Sequence, residues 1–166
     1  MKNKNLYYKI LSLYQTIGGI AGIGLTIWII ITTQMQYFGQ YFFTIIAFLL
    51  YSFSIFCGIA LLKNKNKGLR FSLINQIIQL VNFSILGYGF KYISGFYISV
   101  GINLSNNNLL FKFGSSSWEI LFNMESGISE AHINIFAFLL IIFIDRMMKM
   151  VSDNEYCKLD IERLKP

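Results

Sequence analysis

Residues 69–90 read LRFSLINQIIQLVNFSILGYGF. The segment is apolar enough to suggest a membrane helix, yet Asn75, Gln76, Gln79 and Asn82 interrupt it. Whether it crosses a bilayer decides how many times the chain does. Runs 10–31 and 42–62 hold 22 and 21 residues without a charge. At ~1.5 Å rise per residue, each covers a hydrocarbon core of ~30 Å. A fourth run spans 128–144.

Charge resolves the doubt about 69–90. Lys2, Lys4 and Lys9 precede the first run, and Lys63, Lys65, Lys67 and Arg70 follow the second. Arg146, Lys149, Lys158, Arg163 and Lys165 follow the fourth. These are twelve of the fourteen Lys and Arg residues, leaving only Lys91 and Lys112 elsewhere. Short loops rich in Lys and Arg mark the cytoplasmic side. All three clusters fall on that side only if 69–90 is counted as a crossing. The expected fold is an all-α membrane bundle of four transmembrane helices, with a small antiparallel β meander between helices three and four. The expected location is a bacterial inner membrane, multi-pass, with both termini cytoplasmic and residues 145–166 as a cytoplasmic tail.

Composition agrees with a lipid-facing surface. Of 166 residues, 55% are hydrophobic and 13% charged, against about 25% charged in soluble domains. Aromatic residues make up 17%; Trp28, Tyr37 and Tyr41 fall near the outer boundary, where amphipathic rings concentrate. The net charge of +6 is read as membrane orientation, and no nucleic-acid partner is expected. The first run is too long for the ~7–15-residue apolar region of a signal peptide, so a retained helix is expected. Cys57 and Cys157 lie on different segments and form no CxxC, so no structural disulfide is expected.

The meander is read from 96–123. Phe96, Ile98, Val100, Ile102 and Leu104 alternate with polar or small residues, the period of a strand with one apolar face. Ser105 to Asn108 signals a turn, 109–113 a return strand and 118–122 a third. Phe96, Ile98, Val100, Ile102 and Trp118 are the candidate outer interaction surface.

Ser72, Asn75, Gln79 and Asn82 recur at three, four and three residues and would share a helix face, with Gln76 beside them. Ser12 and Gln15 enter from the first helix at similar depth. In lipid such groups turn inward and hydrogen-bond between helices; the alternative is a seam lining a pore. Gly18 and Gly22 form a GxxxG pair suited to close helix packing or self-association. His132, the single histidine, has Glu130 and Glu125 near it, which raises a proton switch or a metal site; a metal site needs three or four ligands, and a residue at the outer end of a helix, hydrogen-bonded to water or the loop, is expected instead. Glu119 and Glu125 could be read as an acid pair without a fixed separation. Ser115 to Ser117 lacks the setting of a nucleophile. No cofactor, metal or catalytic residue is assigned, and no enzymatic activity is expected.

The stretch Lys67-Gly68-Leu69-Arg70-Phe71-Ser72-Leu73-Ile74-Asn75-Gln76 and the alternating 96–104 segment resemble small four-span inner-membrane proteins of AT-rich bacteria. The resemblance covers about a third of the chain and implies no activity. Two functions are expected from this reading. One is a non-enzymatic accessory, immunity or assembly component that uses its outer β segment to meet a membrane-protein partner. The other is an oligomeric channel or pore-forming effector lined by the polar stripe.

Overall fold

The computed structural model describes residues 2–33, 38–122 and 129–163, with side chains over 5–33, 38–122 and 129–152. Tyr37, Glu125 and Ser126 (expected, with Ser129 as the alternative, to cap the fourth run), and the side chain of Cys157, lie outside the described residues. Helix α1 covers Lys2–Thr32 and helix α2 Phe38–Lys63. They include the first two apolar runs, and both are long and apolar enough to cross a membrane. The two pack along each other as a hairpin.

The second half of the chain corrects the four-helix expectation. Helix α3 is only Lys65–Ile78, 14 residues or about 21 Å, too short for a hydrocarbon core. Asn64 caps its start by accepting from the Lys67 N–H at 3.1 Å. The chain then becomes strand β1, Val81–Ile85, which turns into β2, Tyr88–Ile93. Val81, Phe83 and Ile85 alternate with Asn82 and Ser84, so a strand sorts them onto two faces that a helix would mix. Leu86 and Gly87 make the turn with φ of 52° and 83°, as a tight hairpin requires. The expected span 69–90 is therefore half helix and half hairpin.

The expected span 128–144 divides in the same way. Strand β6 is Glu130–Asn134, and helix α4 is Ile135–Arg163. The Asn134 side chain accepts from the backbone N–H of Phe136 and Ala137 at 3.1 and 3.2 Å, which starts the helix there. Asp145, Arg146 and Lys149 interrupt its apolar run after ten residues, about 15 Å, so α4 is no apolar span either. The tail, expected as a frayed helix, is helical to Arg163.

The β segment is larger than a meander. Strands β3 (Tyr97–Asn103), β4 (Asn108–Gly114) and β5 (Ser117–Leu121) join β1, β2 and β6 in one antiparallel sheet ordered β4-β3-β6-β1-β2-β5. Strand β5 pairs with β2 and not with β4. The edge strands are joined by Ser115 and Ser116 alone. Three residue steps reach at most about 11 Å, whereas a flat sheet of this order holds its edges about 24 Å apart. The sheet is therefore rolled.

Register sorts the side chains. Directly paired residues share a face, so Phe111, Val100, Ile133 and Val81 form one apolar row across four strands. Leu109, Ile102, Ala131, Phe83, Phe90 and Ile120 form the next. The opposite face carries Lys112, Ser99, His132, Asn82, Ser84, Glu130, Lys91 and Glu119. Residues of all six strands on this second face line a single cavity. The polar face is concave and the apolar face convex.

Strands β2 and β5 seat the sheet on the helix hairpin. Tyr92 donates to the Leu50 carbonyl at 2.8 Å, and Tyr51 donates to the Ile93 carbonyl at 3.2 Å. Phe122 packs on Phe43. Ser116 donates to the Gly18 carbonyl at 3.0 Å and accepts from the Gly95 N–H at 2.9 Å. Below this level Tyr8, Leu11, Leu61, Leu69, Ile144 and Met147 form an apolar core among the four helices. Lys65 reaches Asn5 at 2.8 Å across the same end.

The interior is polar to an unusual degree. Among the described residues thirteen apolar side chains are buried and so are fourteen polar ones, whereas apolar side chains dominate the core of a water-soluble domain. Meanwhile Leu13, Ile17, Ile20 and Trp28 of α1, and Phe42, Ile45 and Leu49 of α2, are exposed.

Candidate functional site: a polar chamber and its seam

All seven residues expected to form a polar seam are buried: Ser12, Gln15, Ser72, Asn75, Gln76, Gln79 and Asn82. Most of them join one hydrogen-bond network. Ser72 donates to Gln15 Oε1 at 3.0 Å, and Ser54 to the Gln15 carbonyl at 3.0 Å. Asn75 Nδ2 donates to Ser54 Oγ at 3.1 Å, and Ser94 donates to the same oxygen at 2.8 Å. Gln79 Oε1 accepts from the Ser94 N–H at 2.8 Å. Ser12 donates to the Gly58 carbonyl at 2.7 Å. The helix-spacing argument found one side of this network. Ser54, Tyr92 and Ser94 were missed, because a lone serine in an apolar run and a serine beside a turn carry no periodic signal.

Asn82 belongs to β1 and not to the helix. Its side chain turns into the sheet, where the register sets it beside His132. The seam thus leads along α3 and β1 into the concave face. There Lys91 faces Glu119 across β2 and β5. Lys112 contacts Glu130, which also lies 3.1 Å from His132 Nε2. Lys91 sits 5.1 Å from the Tyr97 ring centroid, a cation–π distance. These five ionisable side chains surround a cavity of about 60 Å³, room for a few waters. Both amide atoms of Asn82, and His132 Nδ1, are buried without a hydrogen-bond partner among the described residues.

The remaining expected features separate. Phe96, Ile98 and Ile102 are exposed and Val100 is partly so, on the convex side. Trp118 pairs with Tyr92 and shares the face turned to the helices. Gly18 and Gly22 pack within the chain, against Gly95 and the Tyr51 ring. Among the described residues no three His, Cys, Asp or Glu side chains are grouped to hold a metal ion. Compared with family models, curated proteins and solved structures, the chain matches none.

Proposed function

We propose that this is an integral membrane protein in which α1 and α2 cross the bilayer and the rolled sheet lies beside them, its chamber handling small ions. The observation that carries the reading is the inverted sorting of the sheet. Charged and amide side chains from five strands, with the hydroxyls of Tyr97 and Ser99 from β3, converge inside, and apolar rows face out. Apolar outside and polar within is the arrangement that lipid favours. Ionisable residues at membrane depth mark ion or proton routes.

The charge pattern fits this arrangement without four spans. Lys9, the turn at 63–67, Arg70, Arg146 and Lys149 gather at the end of the helices away from the sheet, and that end would face the cytoplasm. The chain enters the bilayer on α3, forms the sheet in the outer half and returns on α4. The apolar core around Leu11, Leu61 and Leu69 lies between the seam and the cytoplasmic end, as a hydrophobic constriction that gates by dewetting.

Purified protein in liposomes should therefore give ion flux above protein-free vesicles, and Leu69→Ala should raise it roughly tenfold by admitting water to the seal. Flux at the protein-free level in both, from protein that stays folded, would remove the ion-handling reading.

A second reading has its own support. Strand β4 is an edge strand with Leu109, Phe111 and Phe113 exposed. An open edge in lipid leaves backbone groups unpaired, so a partner strand from a membrane protein or a second copy would stabilise it. This is the accessory or assembly role. A photocrosslinker at position 111 should capture protein in that case, and capture of lipid alone would remove it.

A further inference from the structure

We infer that the ion handled by the chamber is the proton, relayed between His132 and Glu130 with Lys112 as the fixed counter-charge; the inference rests on the ion-handling reading above. Size and charge narrow the choice. A cavity of about 60 Å³ is far below the ~300 Å³ of pockets for organic ligands. Lys91 lies opposite Glu119, and Lys112 contacts Glu130, so the fixed charges balance and favour neither cations nor anions. His132, with one ring nitrogen on Glu130 and the other turned into the cavity without a partner among the described residues, is the group there that can both accept and donate a proton.

The imidazole is placed to take a proton at one nitrogen and release one at the other. Its Nε2 lies 3.1 Å from Glu130 Oε2. Its Nδ1 is buried, has no partner among the described residues, and lies over Gly101 on the concave face. A β-carbon at Gly101 would come within 2.2 Å of Nδ1, so only glycine leaves the ring its seat. Asn82, buried to 4% exposure and carrying a free donor and a free acceptor, lines the same cavity. It is suited to hold a water against Nδ1. Beyond it, Gln79, Ser94 and Ser54 continue the polar line toward the helices.

The transfer balances as follows. With Glu130 ionised, neutral His132 carries its proton on Nε2 and hydrogen-bonds through it to the carboxylate. A hydronium in the chamber gives a proton to Nδ1 and leaves as water. The Nε2 proton passes to Glu130 Oε2, which leaves a neutral imidazole protonated on Nδ1. Glu130 then releases that proton to water at the exposed Lys112 side, so one proton enters and one leaves. The ring returns to its first tautomer when the waters of the chamber take its Nδ1 proton and return one to Nε2, which leaves the proton count unchanged. The titratable groups that line the cavity with the imidazole are Glu130 of β6, Lys112 of β4, Lys91 of β2, Glu119 of β5 and Tyr97 of β3.

The experiment uses the full chain in liposomes loaded with a pH-sensitive dye, with proton, K⁺, Cl⁻ and water flux measured separately. Protein-dependent proton flux is expected, reduced at least tenfold in His132→Gln and in Glu130→Gln and retained in Lys67→Gln. Passage of K⁺ or Cl⁻ with no proton flux would overturn the proton inference and leave the ion-handling reading standing, whereas passage of water alone would remove both. Silence toward all four would remove both. Since the chain has one histidine, a ¹⁵N-imidazole spectrum reports His132 alone and checks the variants independently of flux. The Nε2-protonated tautomer should dominate at neutral pH in wild type, and Glu130→Gln should shift that balance. A ring that titrates identically in both would overturn the relay.

Discussion

Gly18→Leu should unfold the sheet from the helices and lower stability by about 3 kcal/mol or more, the upper range for overpacking. A β-carbon at Gly18 would lie 2.6 Å from Gly95 N and 2.8 Å from Ser94 C. Both are backbone atoms and cannot swing aside. Gly95 itself holds φ at +100°, a conformation that side chains disfavour, so the turn cannot relax by shifting along α1. The Ser116 hydroxyl, which bridges Gly95 and the Gly18 carbonyl, would be lost with the contact. Gly24 is the control, because a β-carbon there meets nothing within 4 Å among the described residues. Gly24→Ala should raise stability by about 0.5–1 kcal/mol through helix propensity. Thermal unfolding in detergent, followed by circular dichroism, measures both. A Gly18→Leu protein with the wild-type midpoint but an altered oligomeric state would instead make the GxxxG pair a contact between chains.

Asn75→Leu should lower stability and Gln76→Met should not, although the residues are neighbours and both fully buried. Asn75 donates to Ser54 at 3.1 Å and accepts from the Tyr92 hydroxyl at 3.2 Å. Leucine leaves both partners facing an apolar group, at a cost of about 2–4 kcal/mol for the two. Tyr92 keeps its shorter bond to the Leu50 carbonyl, which holds the loss toward the lower end. Gln76 has no partner for either amide atom among the described residues. Methionine has nearly its shape and removes the desolvated amide, so stability should hold or rise by about 1–3 kcal/mol. Denaturant titration of the two variants decides the matter. Destabilisation by Gln76→Met would mean that this amide is hydrated within the seam and extends the polar route.

Much of the site was legible in the sequence, though not its frame. Polar residues at helical spacing in an apolar run announce a buried seam, because lipid and protein interior alike force such groups to find each other. The step from Gln79 to Asn82 continues that spacing, yet it crosses from helix to strand. The hairpin that follows escaped notice because its turn is Leu86-Gly87. The leucine stands where asparagine or aspartate gives the usual signal. Strand β6 was hidden for a related reason. Glu130 to Asn134 is too short for its alternation to stand out against the apolar helix beyond it, so the whole stretch reads as one helix.

By itself the sequence determined two helices of membrane length, one basic end, and the alternation that makes 97–113 a hairpin. Each follows from composition and spacing within a single segment. Tertiary structure alone decided that 69–90 and 128–144 break into helix and strand. It also decided that β5 leaves β4 for β2, and that Lys91, Lys112, Glu119, Glu130 and His132 share one chamber. The reason is physical. Five charged or titratable side chains spread over 42 residues can leave an apolar exterior only if a sheet rolls them to one face. Rolling depends on pairings between distant strands that no local pattern encodes.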